Sequence, residues 1–170
     1  MRWKALALAV MLPLAACGKD VSAPAKDGVT DARLLAAAEG EWLSYGRDYA
    51  EQRFSTLTQI NYKNVGELGL AWSAALDTAR GQEATPLMHD GPLNITTAWS
   101  LVKAYDARTG ALKWSYDPKV PREKLVEVCC DAVNRGVALY GDKVYVGTLD
   151  GRLVALEQKT GKEVWAKVVV

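Results

Sequence analysis

Residues 129–136 read Cys-Cys-Asp-Ala-Val-Asn-Arg-Gly, and they hold the most restrictive chemistry in the chain. Neighbouring Cα atoms sit about 3.80 Å apart across a trans peptide, whereas ordinary disulfides span roughly 4.4–6.8 Å. A bond between Cys129 and Cys130 would close a small, rigid, flat-sided ring. The other reading is two buried thiols that pack as small apolar groups. Both readings stay open on the pair alone. Glu83, in the run Arg-Gly-Gln-Glu-Ala-Thr-Pro at 80–86, reads as an exposed loop acid when taken by itself. Arg135 taken by itself reads as a solvated strand flank. His89 is the single histidine, stands next to the turn pair Asp90-Gly91, and is expected at the surface. No His/Cys zinc set, Ser-His-Asp triad, Walker loop or GxGxxG motif is present. The net charge of +1 supplies no field for nucleic acid, so no nucleic-acid partner is expected.

The first residues, Met-Arg-Trp-Lys, are followed by an apolar run and then Leu14-Ala15-Ala16-Cys17. A positive start, a short apolar core and small residues before a cleavage point make a secretory signal. The run is too short to span a bilayer, which takes about 20 residues. Leu-Ala-Ala-Cys resembles the lipobox of bacterial lipoproteins, which implies cleavage before Cys17 and lipid on its sulfur. The expected organisation is a signal peptide at 1–16, a flexible tether at 17–29 and one domain at 30–170. Of the three cysteines, two then remain, adjacent, in an exported chain, where disulfides are permitted.

The domain must be built mostly from strands. Thr30-Asp31 cap a short helix that runs toward Gly40. Beyond it, short β-rich runs are punctuated by Gly, Asp and Asn. The pattern A-x-D-x-x-T-G-x-x-x-W at 104–114 recurs at 155–165 with Glu for Asp, and Trp114 and Trp165 are 51 residues apart. The same offset aligns Leu93-Asn94-Ile95 with Val144-Tyr145-Val146. A period near 50 with several strands per unit indicates a propeller blade. Asp150-Gly151 makes a hairpin turn, and Trp72 falls on an equivalent strand one blade earlier.

These repeats resemble the tryptophan-docking motif of the quinoprotein alcohol dehydrogenases, eight-bladed β-propellers that use pyrroloquinoline quinone (PQQ) and calcium. Residues 41–47, 52–55, 57–61 and 64–72 are similar to that family's N-terminal segments. Residues 80–86, and 129–131 with 134–136, match its two PQQ segments. The resemblance implies an all-β fold, about the first two blades of the propeller behind a short helix. It implies that Cys129 and Cys130 form a disulfide platform against one face of the planar cofactor. Glu83 is implied to hydrogen-bond the cofactor's acid groups, and Arg135 to contact its oxygens. In the whole enzyme a small alcohol would pass a proton to a base and a hydride to the quinone carbon, and electrons would leave to cytochrome c or a quinone. The calcium ligands, the catalytic aspartate and the second stacking tryptophan are expected beyond Val170. The chain alone is thus expected to be inactive and to bind PQQ weakly or not at all. A membrane-anchored periplasmic location follows from the lipobox. The alternative function is a non-catalytic propeller lipoprotein in outer-membrane assembly, which has no use for Glu83, the cysteine pair or Arg135. Lys103, at an inward-looking strand position, and the stretch 121–127 depart from the family pattern.

Overall fold

A computed structural model describes residues 28–170. Two four-stranded antiparallel sheets carry the fold. The first holds β1 (Leu87–Met88), β2 (Pro92–Thr96), β3 (Val102–Asp106) and β4 (Leu112–Tyr116). The second holds β5 (Ala138–Tyr140), β6 (Lys143–Gly147), β7 (Arg152–Glu157) and β8 (Glu163–Val168). β2 and β6 are displaced by the 51 residues of the sequence repeat, as are the starts of β4 and β8. The all-β expectation and the two-blade reading both hold.

The sheets stack face to face, and burial shows in which sense. On β6, Val144 and Val146 are buried and Tyr145 is not, whereas on β2 the equivalent of Tyr145, Asn94, is fully buried. The phases are opposite because repeat-equivalent residues point the same way, so unlike faces meet. Asn94, Ala104 and Trp114 lie opposite one another across β2, β3 and β4 and make one wall. Val144 with Leu156, and Val146 with Val154, lie on paired β6 and β7 positions and supply the other. This is how blades follow one another in a propeller.

Tryptophan locks the seam. The Trp114 indole N–H donates to the Gln158 carbonyl at 3.0 Å, and Trp72 does the same to Ala107 at 3.0 Å. Each ring lies on a glycine of the next T-G turn, Trp114 on Gly161 and Trp72 on Gly110. The turn before Gly110 is held by Asp106, whose Oδ1 accepts from the backbone N–H groups of Arg108 and Thr109 and from the Thr109 hydroxyl, each at 3.0 Å. The Thr109 N–H, followed by its hydroxyl, holds the Asp106 carboxyl below its ordinary range.

Three expectations are corrected. Residues around Trp72 form no strand, since nothing pairs with them; the indole docks from an irregular segment. The helix α1 spans only Asp31–Leu35, capped by Thr30 through Arg33 N–H. Only Leu34 of it is buried, and short helices need packing to persist. The expected tether does not reach Val29, which is fully buried and exchanges hydrogen bonds with Gly141. Cys17 and the rest of the expected tether and signal lie outside the described residues.

Candidate functional site

Two segments far apart in sequence meet at the rim of the stacked sheets. One is the irregular run through 80–85, the other the loop 129–136 that leads into β5. Arg135 Nη2 lies 3.1 Å from Glu83 Oε2. Arg80 pairs with Asp131. A Cβ on Gly81 would touch the Val133 side chain at 3.6 Å, so the two segments also pack between these ion pairs. Thr85 and Gly136 approach as well: a Cβ on Gly136 would come 3.4 Å from the Thr85 carbonyl.

Cys129 and Cys130 hold their sulfurs facing one another, with Cα atoms 3.8 Å apart. Both residues are exposed, so the buried-thiol reading does not describe them. Cys130 and Asp131 have φ of 70° and 73°, in the left-handed region that costs an L-residue about 1–2 kcal/mol. Glu83 is exposed too, with 41% of its side chain accessible against 73% for Arg135. All four residues are therefore solvent-facing rather than enclosed in a pocket, and they present two sulfurs, a carboxylate and a planar cation.

Neighbouring groups were not legible in the sequence. The guanidinium of Arg122 lies 4.0 Å from the Trp99 ring centroid and that of Arg80 lies 5.3 Å from it. Arg122 opens the 3₁₀ segment Arg122–Glu127, within the stretch that departs from the family pattern. Trp99 sits in the short turn Ala98–Ser100 between β2 and β3, with φ of 65°. No period or motif marks it. Lys103, flagged as an inward cation, is buried and pairs with Asp77 at 2.6 Å. Burial is the largest single influence and lowers its pKa, but the bond and charge of Asp77 together with Tyr105 outweigh it, and the net shift is upward.

His89 is not a surface residue; it is 3% exposed. Its Nδ1 lies 2.8 Å from Gln158 Nε2, and its Nε2 lies 3.9 Å from Glu41 Oε1, which Arg33 holds at 2.5 Å. The turn at Asp90-Gly91 is exposed, but the histidine before it turns inward, between the N-terminal segment and the second sheet. It takes no part in the surface described above. Among the described residues, no group of three or more His, Cys, Asp or Glu could hold a metal ion.

The sequence profile of the PQQ glucose/ethanol/alcohol dehydrogenase β-propeller domain matches residues 42–166. A quinohemoprotein alcohol dehydrogenase of Pseudomonas putida is 54% identical over 169 residues, covering 98% of this chain and 23% of the relative. The dehydrogenase subunit of a quinone-linked alcohol dehydrogenase of Gluconobacter oxydans is 61% identical over 127 residues, 75% of this chain and 17% of the relative. The crystal structure of quinohemoprotein alcohol dehydrogenase from Comamonas testosteroni superposes with a TM-score of 0.79 at 51% identity, over 82% of this chain and 21% of that one. The chain thus spans about a fifth of the length of its relatives. With the profile match, the blade pair and the tryptophan seam in agreement, the chain belongs to the PQQ-dependent alcohol dehydrogenase β-propeller family.

Proposed function

We propose that this chain supplies one side of the cofactor site of a PQQ-dependent alcohol dehydrogenase. The observation that carries the reading is the meeting of Glu83 with Arg135 at 3.1 Å, in the loop that also carries the exposed cysteine pair. Bound PQQ supplies a quinone that accepts hydride from a small alcohol. The sulfur face of Cys129 and Cys130 gives a planar ring a rigid support. Arg135 is permanently charged and planar, which suits fixed contact with ring oxygens better than a lysine would. Glu83 facing acid groups raises a like-charge cost, which a shared proton relieves and the adjacent Arg135 offsets. Cytochrome c or a quinone is the proposed electron acceptor. Calcium is proposed to accompany the cofactor, and no ligand for it is assigned among the described residues.

Arg135→Ala is expected to weaken PQQ binding about tenfold or more, since a hydrogen bond to a charged group contributes roughly 1.5–3 kcal/mol. Arg135→Lys should recover only part of it. Titration followed by tryptophan fluorescence checks this; equal affinity in all three proteins refutes the role given to Arg135.

We further propose that Cys17 is lipidated, that the mature protein faces the periplasm from a membrane, and that Cys129 and Cys130 are oxidised to each other. Export supports the last point, since lipid on Cys17 leaves those two cysteines without other partners. Mass spectrometry of the membrane fraction should show diacylglycerol on Cys17 and a peptide two hydrogens lighter than the dithiol. Globomycin should cause precursor to accumulate. Normal maturation under globomycin contradicts the anchor, and two alkylatable thiols contradict the disulfide.

A further inference from the structure

We propose that Asn134 is a positioning residue: its side chain pins the loop between the cysteine pair and Arg135 to β6 and to the turn that follows β2, and so sets where Arg135 meets Glu83. The inference rests on the cofactor reading only for what the positioned pair serves. Residues 129–136 lie outside any strand, since β5 begins at Ala138. Cys130 and Asp131 hold positive φ, and such conformations persist only where the surroundings over-determine them.

Asn134 supplies that constraint. Its Nδ2 donates to Ser100 Oγ at 3.1 Å and to the Gly147 carbonyl at 2.9 Å. Its Oδ1 accepts from the Gly136 N–H at 3.0 Å, and its own carbonyl accepts from Thr96 Oγ1 at 3.4 Å. Thr96 ends β2 and Gly147 ends β6, so one residue ties the loop to both sheets. The anchor is itself fixed. Ser100 is fully buried with φ of 60°, and the neighbouring Trp99 N–H donates to the Ala132 carbonyl at 2.9 Å. Arg135 follows Asn134 directly, so the frame that fixes one backbone fixes the root of the other. The job needs two donors and one acceptor on a short planar group, which the asparagine amide provides and aspartate or serine does not.

The test uses the full chain, ¹⁵N-labelled, and reads the Arg135 Nε–H resonance. In the parent, Glu83→Gln should move that resonance. With Asn134→Ala in place, the resonance should already be displaced, and adding Glu83→Gln should move it by less than half the parental amount. Hydrogen exchange in β6 and β7 should stay at the parental level, which separates positioning from unfolding. A Glu83→Gln response of parental size in the Asn134→Ala background overturns the proposal. If Asn134→Ala also strips protection from β6 and β7, Ser100→Ala decides, because it removes a single acceptor: a reduced Glu83 response supports the brace and a full response overturns it. Failure of the chain to respond to PQQ would count against the cofactor reading and leave this coupling measurable.

Discussion

Gly161→Ala is expected to destabilise the chain by about 2–5 kcal/mol, a large share of the roughly 5–15 kcal/mol that holds a typical domain. Two effects combine. Gly161 has φ of 70°, and a Cβ there would stand 2.4 Å from Trp114 Cε3 and 2.6 Å from Cδ2. The indole has nowhere to retreat: it is buried between the sheets and its N–H is committed to the Gln158 carbonyl at 3.0 Å. Overpacking costs about 1–3 kcal/mol and the left-handed backbone about 1–2 kcal/mol. Gly40→Ala isolates the second effect, because Gly40 has φ of 79° and nothing within 4 Å of an added Cβ. Urea unfolding of the two variants should therefore differ by the clash alone. Equal destabilisation would mean that the tryptophan does not lock the blades. Gly110 faces Trp72 at 2.6 Å, but Trp72 is only half-buried on an unpaired segment, so Gly110→Ala should destabilise in the same direction by less.

That seam was legible in the sequence because it repeats. Asp106, Gly110 and Trp114 recur as Glu157, Gly161 and Trp165, and a 51-residue offset needs no knowledge of packing to detect. The helix boundary was not, because propensity over the alanine-rich run 36–38 favours helix while the tertiary contacts do not. Arg47 takes the Ala37 carbonyl at 3.0 Å instead. His89 misled for a related reason: its neighbours at 90 and 91 make a turn, but a turn fixes the backbone and not the direction of the side chain before it. In the candidate site, Glu83, Cys129, Cys130 and Arg135 came from motif resemblance. That Glu83 meets Arg135, that Arg80 meets Asp131, and that Asn134 ties the loop to two sheets depend on contacts across 13 to 52 residues, which no local pattern encodes.

The purified 170-residue chain, supplied with PQQ, calcium and an alcohol, is expected to reduce an acceptor dye no faster than the mixture without protein. Enzymes typically lower barriers by about 8–23 kcal/mol, mostly through preorganised groups in a site that excludes water. Here Glu83, Cys129, Cys130 and Arg135 are all exposed. In the proposed site they would address only one face and part of the rim of a planar ligand. Among the described residues no cluster could hold a calcium ion. The reaction also needs a proton acceptor at the alcohol, and the residues assigned to the site offer only Glu83, which is already paired with Arg135. The proposed site thus offers neither an assigned calcium ligand nor a free base, and no turnover is expected. Alcohol-dependent reduction above the control would require a compact active site different from the surface described.

The central claim, that the surface around Glu83, Arg135 and the cysteine pair is a PQQ-binding face, is tested most directly by titrating PQQ into the ¹⁵N-labelled chain. NMR detects binding even near a Kd of about 1 mM, worth only about 4 kcal/mol, which suits a half-built site. The account predicts saturable amide shifts confined to residues 80–85 and 129–136, abolished by Cys129→Ser with Cys130→Ser. Shifts centred elsewhere, such as around His89 and Gln158, would contradict it.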